Sequence, residues 1–338
     1  MLDNMAEQRL NRLLESCGHN SHTHLYYLGD KELFWDSMDE AVIAYRTAGK
    51  RNIALGDPVG SPEGCRRVIG EFIAYCKKLN RLPVFYQAKS KYLPLFSGYG
   101  LHSAKIGEEA QIDLTRFDLK GKRWLKLRNR INKFERGRYS VNVLFPPYSY
   151  TTMSRLQEIS DEWLAERKEK SFSVGAFSWP YVSRFPVAVL TDAEGRYIAF
   201  ASITGDAPRP EASLAGHCRK ITIDLMRYTP SCPHGTMDYL FVSLFRWAAD
   251  NGYGRCSLGI APLANMDHLL FVRLLWKYGS KLYNFKGLYE YKNKFGPDWE
   301  NVYLVCPASS MPVTVGILAY TINTPVSPSQ TKWNQISS

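Results

Sequence analysis

No window of this 338-residue sequence approaches the roughly 18 to 20 uninterrupted apolar residues that a bilayer-crossing helix needs; the best candidate, Val313 to Tyr320, is short and follows Pro312. The start, with Asp3, Glu7 and Arg9, has no apolar core of a signal peptide, so the cytoplasmic side is the expected compartment. The seven cysteines are odd in number and contain no C-x-x-C pair, which argues against a disulfide framework or a zinc knuckle. G-x-S-x-G, Walker A and G-x-G-x-x-G are all missing, so serine hydrolases, P-loop enzymes and dinucleotide binders lack their physical core here. His19, His22 and His24 bunch together, but no second cluster of ligands stands at a zinc-like spacing, so no metal is expected. With 22% charged and 45% hydrophobic residues, the chain can bury enough apolar surface to exclude wholesale disorder.

Acid is in short supply too. Thirty-two Asp and Glu face 43 Lys and Arg, leaving a net charge of +11 and a pI near 9.2. From Arg116 to Arg138 there are ten basic residues and two acids, Asp118 and Glu135, so most of the excess sits in one segment. Trp124, Leu127, Ile131 and Phe134 recur there at i, i+3, i+7 and i+10, which predicts one apolar stripe on an otherwise cationic helix. The plain account is a solvated helix packed by its stripe. The sharper one is a footprint for phosphates of nucleic acid or of an anionic lipid surface, with Lys126, Arg128, Arg130 and Lys133 as contacts.

On each side of this helix the periodicity predicts a similar series. First come strands over Ala41–Tyr45 and Asn52–Leu55, a helix capped by Ser61 with Pro62 in its first turn, a strand over Pro83–Gln87, a short helix near Lys91–Ser97, and strands over Leu101–Ile106 and Ala110–Leu114. A helix over Tyr150–Lys168 follows, then strands Val187–Thr191, Tyr197–Thr204, Glu211–Gly216 and Lys220–Arg227, and a helix over Thr236–Asp250. Strand Arg255–Ile260, helices His268–Tyr278 and Leu288–Phe295, and strand Asn301–Val305 complete the series. The expected organisation is an N-terminal domain over 1–117, a connecting basic helix over 118–138, a C-terminal catalytic domain over 139–308, and a loosely held tail over 309–338. The fold class is α/β with mixed sheets: a duplicated β-β-α-β-α-β unit, the order used by GNAT-type acyltransferases. A coenzyme A enzyme is disfavoured, because Pro230 and Pro233 remove backbone donors from the turn that would hold pyrophosphate.

Asp224 and Arg227 stand out as charges in an apolar strand, I-T-I-D-L-M-R-Y; three apart, they face opposite ways unless a bulge intervenes. Glu290, Tyr291, Lys292 and Lys294 crowd a short helix framed by aromatics, which suggests a groove. With L-G-D-P-V-G at 55–60, I-G-E-E-A-Q-I-D-L at 106–114, I-S-D-E-W-L at 159–164, G-T-M-D-Y-L at 235–240 and L-G-I-A-P-L at 258–263, the sequence resembles the C-terminal catalytic domain of the bacterial multiple peptide resistance factor family, nearly to Cys306. It departs from that pattern at the histidine run, at Asn301 and Val302, and in the tail.

The resemblance implies an aminoacyl-phosphatidylglycerol synthase at the cytoplasmic membrane face. A glycerol hydroxyl of phosphatidylglycerol attacks the ester joining an amino acid, lysyl or alanyl, to tRNA, which makes the membrane less anionic and resistant to cationic antimicrobial peptides. One ester replaces another, so no cofactor is implied. The implied partners are aminoacyl-tRNA, an anionic membrane surface and an upstream flippase domain outside this sequence. The resemblance gives Asp224 and Arg227 catalytic roles: Asp224 on the α-ammonium or on the attacking hydroxyl, Arg227 on a phosphate or the oxyanion. Lys292, Lys294, Tyr291 and Glu290 are expected to bind substrate. The rival accounts are a Fem-like transferase with a peptidoglycan acceptor and a non-catalytic RNA- or membrane-binding module.

Overall fold

The computed structural model describes residues 4–165, 168–206, 218–262, 264 and 285–324. Helix α1 (Asn4–Cys17) and a 3-10 helix (Thr23–Leu28) precede β1 (Glu32–Trp35), β2 (Ala41–Ala48), β3 (Arg51–Leu55) and the two-residue β4 (Val59–Gly60). Next come α2 (Pro62–Lys78), β5 (Leu82–Lys89), α3 (Leu93–Gly98), β6 (His102–Asp113), α4 (Leu125–Arg136) and β7 (Ser140–Leu144). The second half holds α5 (Tyr150–Leu164), α6 (Trp179–Val182), β8 (Val187–Thr191), β9 (Tyr197–Gly205), β10 (Lys220–Tyr228), α7 (Thr236–Asp250) and β11 (Arg255–Pro262). Helix α8 (Phe285–Asn293), β12 (Asp298–Cys306) and α9 (Met311–Asn323) close the described chain.

Local chemistry sets these boundaries. Ser61 accepts the Gly64 N–H, Pro62 occupies the first turn, and Val68, Ile69, Phe72 and Ile73 bury one face of α2, as the periodicity predicts. In α4 the stripe is also where the spacing puts it: Leu127, Ile131 and Phe134 are buried against the core shared with α7, and Trp124 is half-buried just ahead of the helix. Each such buried side chain contributes about 1.5–3 kcal/mol, which fixes which face of α4 looks outward. The helix is shorter than the expected 118–138. Three other expectations are corrected. A single strand, His102–Asp113, replaces the two expected over 101–114. The helix from Tyr150 ends at Leu164, and residues 311–323 form a packed helix, not a loose tail. The expected strand over 211–216 and helix over 268–278 lie outside the described residues.

Among the described residues, twelve strands form one mixed sheet in the order β1-β2-β3-β5-β12-β6-β11-β10-β9-β8-β7, with β4 paired to β2. The two halves repeat a pattern. In the first, β2 and β3 are antiparallel, α2 crosses over, and β5 lies parallel to β3; in the second, β9 and β10 are antiparallel, α7 crosses over, and β11 lies parallel to β10. The next strand on each side is exchanged. β12, last in sequence, pairs with β5 of the first half, while β6 pairs with β11 of the second, and the two exchanged strands pair with each other. Each half thus completes its sheet with a strand from the other, and backbone pairing joins the halves from β5 through β12 and β6 to β11.

Candidate functional site

The two parallel pairs differ in length, and that difference makes the site. β3 and β5 stay in register for five residues, Arg51–Leu55 against Leu82–Tyr86. β10 and β11 pair over only three, Lys220–Thr222 against Arg255–Ser257, and then diverge. Both strands carry a bulge at the parting: β10 shifts register against β9 between Ile223 and Met226, and β11 shifts against β6 between Ser257 and Ile260. A bulge bends and twists its strand. The wedge opens into a cleft of about 290 Å3 lined by Ile223 and Asp224 on one side and Leu258 to Ile260 on the other, with Glu109 and Lys292 in its wall.

The carboxylate side is built around Asp224. Tyr181 Oη donates to Asp224 Oδ2 at 2.7 Å, and His24 Nε2 lies 3.5 Å from Oδ1. Burial alone would raise this carboxyl; His24, Tyr181 and Arg227 outweigh it and hold the group below its usual range, so it is ionised near neutrality. Gly175 leans on it so closely that an added Cβ would sit 2.3 Å from Oδ2. Gly175→Ala is therefore expected to displace the carboxylate, costing about 1–3 kcal/mol as an overpacked site does and lowering both melting temperature and activity; an unchanged thermal melt with full turnover would contradict this contact.

The opposite wall holds a buried lysine. Lys292 Nζ donates to the Ile260 carbonyl oxygen at 2.7 Å, and burial lowers its pKa to about 7 although Glu109 opposes the shift. Glu109 is itself buried; the Lys89 ammonium and the Ser257 hydroxyl both bind it, and Lys89, His22 and Ser257 overcome burial to hold it at about 2. His22, lowered to about 4 by burial, is neutral, and its Nε2 lies 2.6 Å from Gln87 Oε1. Gly56, in the left-handed region at φ 69°, leaves room for that ring: a Cβ there would meet His22 Nδ1 at 2.6 Å. Lys170 also lines the cleft.

The bulge settles the relation of Asp224 to Arg227. Both point toward the α5–α6 layer, Asp224 against Tyr181 and Arg227 against Trp163, yet they meet different partners. Arg227 stacks 4.0 Å from the Trp163 ring and donates to Glu169 Oε2 at 2.8 Å; Glu169 Oε1 in turn accepts the Phe177 N–H at 3.0 Å. Arg227 thus braces the segment carrying Lys170 and Gly175 and does not line the cleft. Lys294 turns away from it as well, bonding Asp238 Oδ1 at 2.6 Å, while Arg130 binds the other oxygen of the same buried carboxylate. Tyr291 packs against Phe241 and Phe295 in the core, and Glu290 is exposed, 3.9 Å from Lys286. Of the α4 cations, Lys126 and Lys133 are exposed, and Arg128 donates to the carbonyls of Leu119 and Gly121. The three neighbouring histidines diverge: His19 toward Thr23, His22 toward Gln87 and His24 toward Asp224.

A larger cavity of about 670 Å3 lies between α1 and the end of β9 with the start of β10, but one of the cations lining it, Arg184, is already closed onto Glu7. Size alone does not mark the site; the wedge with its ionised aspartate and near-neutral lysine does.

Comparison with known proteins identifies the family. Residues 11–306 match the family described as phosphatidylglycerol lysyltransferase, C-terminal. The phosphatidylglycerol lysyltransferase of Bacillus subtilis is 35% identical over 304 residues, covering 88% of this chain, and that of Staphylococcus aureus is 33% identical over 318 residues. The chain spans about a third of the length of these relatives, 34% and 36%. The solved structure of L-PGS from Bacillus licheniformis superposes with a TM-score of 0.83 at 35% identity, covering 94% of this chain and 97% of that one. FemX, at 8% identity and a TM-score of 0.58, shares the fold. The chain therefore belongs to the phosphatidylglycerol lysyltransferase C-terminal family.

Proposed function

We propose that this chain transfers an aminoacyl group, lysyl in the first instance, from aminoacyl-tRNA to a glycerol hydroxyl of phosphatidylglycerol. The observation that carries this is the wedge itself, which in a chain of this family brings a buried ionised carboxylate and a buried lysine of pKa about 7 to one cleft. Asp224 binds the α-ammonium of the aminoacyl ester. Lys292, in its neutral form, accepts the proton of the attacking hydroxyl and returns it to the departing ribose oxygen. The hydroxyl oxygen forms the new ester bond as the ribose–acyl bond breaks. Arg227 acts through Glu169 as a positioning residue. Exposed Lys126 and Lys133 offer contacts for tRNA phosphates, and the relatives' greater length leaves room for the upstream membrane domain that the resemblance implies. The less anionic lipid formed would repel cationic peptides.

An alanyl donor is the second reading, favoured by one observation. Glu109, the other buried carboxylate of the cleft, is already held by Lys89, so it does not stand ready for a lysine ε-ammonium. The test is to incubate the protein with phosphatidylglycerol vesicles and either labelled lysyl-tRNA or labelled alanyl-tRNA, then chromatograph the lipids. Label in the lipid fraction with lysyl-tRNA is expected; label in neither case overturns the proposal, and transfer to a lipid-linked muropeptide supplied in parallel would make the enzyme Fem-like.

A further inference from the structure

Helix α9 lies beyond the residues that match the family, which end at 306. It contains no Asp, Glu, Lys or Arg from Met311 to Asn323, and it is apolar on two sides. Val315, Leu318 and Ile322 line the cleft at i, i+3 and i+7. The outer side carries Val313 and Tyr320, 58% and 70% exposed, with Pro312 exposed and Ile317 half-buried between them. A soluble surface helix normally turns charge outward; this one turns outward aliphatic and aromatic groups.

Lysines stand on the segments beside it. The turn at Gly49 lies beside Ile317, whose Cδ1 a Cβ added at Gly49 would meet at 3.9 Å, and is followed by exposed Lys50. Ser171 Oγ donates to the Thr321 and Thr324 carbonyls at the helix end, with exposed Lys168 three residues before it and Lys170 in the cleft wall. Thirteen residues rise about 20 Å, short of the ~30 Å of a hydrocarbon core, so such a helix lies on a bilayer and does not cross it. An apolar face with lysines on the segments beside it is complementary to anionic headgroups above an apolar layer.

We propose that α9 seats this chain on an anionic phospholipid surface, its outer face entering the headgroup layer, so that the same helix forms the boundary between the bilayer and the cleft. The lipid alcohol then reaches Asp224 and Lys292 past the inner face of α9 without leaving the interface. This rests on phosphatidylglycerol being the acceptor.

The full chain carrying Val313→Glu and Tyr320→Glu tests it, because both side chains are exposed and neither lines the cleft. Co-sedimentation with mixed phosphatidylglycerol–phosphatidylcholine vesicles is expected to weaken about tenfold or more. Transfer to vesicle lipid should fall in parallel, while transfer to dispersed dihexanoyl-phosphatidylglycerol stays at the level of the unaltered chain. Undiminished vesicle binding overturns the proposal, as does a variant whose only change is a smaller mass in analytical ultracentrifugation, which would make the face a contact between copies. If neither protein uses dihexanoyl-phosphatidylglycerol while the unaltered chain still binds vesicles through α9, the docking stands and the acceptor assignment falls.

Discussion

Asp224→Asn is expected to abolish transfer without unfolding the protein. The amide has the carboxylate's shape, so Tyr181 still has an oxygen to donate to and Gly175 is not crowded. What disappears is the negative charge that His24, Tyr181 and Arg227 maintain against burial. Leaving a substrate ammonium in this cleft without its partner costs about 3–5 kcal/mol, the loss seen when one member of a buried pair is removed, or roughly 10²- to 5 × 10³-fold in kcat/KM. Circular dichroism and the thermal melt should stay near those of the unaltered chain, and the donor KM should rise along with the fall in kcat. An Asn variant that transfers within about threefold of the original rate would take Asp224 out of the mechanism and leave it as a structural carboxylate.

How far this site could be read from sequence depends on how local each partner is. The stripe of α4 and the capped start of α2 were legible because helical spacing and an N-cap need only neighbours within a few residues. The exchange of β6 and β12 was not, because nothing in either strand names its partner. β6 looked like two strands because Gly107, Glu108 and Glu109 interrupt its apolar run. Their charges are answered by Lys105 and by Lys89 and Ser257, the last lying 148 residues away.

The same logic explains the histidines. His22 and His24 belong to the site through Gln87 and Asp224, contacts that a local G-H-N-S-H-T-H run does not reveal. Asp224, Arg227 and Lys292 were legible as charges in apolar surroundings. The sequence could not tell which of Asp224 and Arg227 faces the cleft, since a single bulged residue decides it. Lys294 and Arg130, expected at phosphates, are drawn instead to the buried Asp238. Ser, Thr and Pro dominate the setting of helix α9, a composition that reads as a loose tail. Its threonines hide their polarity by bonding one turn back, Thr314 to the Ser310 carbonyl and Thr321 to that of Ile317, both at 2.8 Å.

Lys292 offers the second large effect, and its test needs no substrate. Between pH 7 and the ordinary lysine value of 10.5, the unfolded chain keeps a proton on this residue that the folded chain has released. Unfolding then takes up a proton, so the stability owed to Lys292 rises with pH across that window by up to about 1.4 kcal/mol per pH unit; it is complete above 10.5 and lost as pH falls to about 7. Lys292→Met removes this dependence, and the stability difference between the two proteins, followed by urea unfolding from pH 6 to about 10, should shift steadily in favour of the unaltered chain. Catalytically, Met takes away the proton acceptor, with an expected loss on the order of 10²- to 10⁴-fold in kcat. Arg in its place keeps a charge that cannot be given up, so it should not restore turnover. A stability difference that stays flat with pH would show that Lys292 is charged in the folded protein; a phosphate-binding role would then replace proton transfer, and Arg should rescue activity.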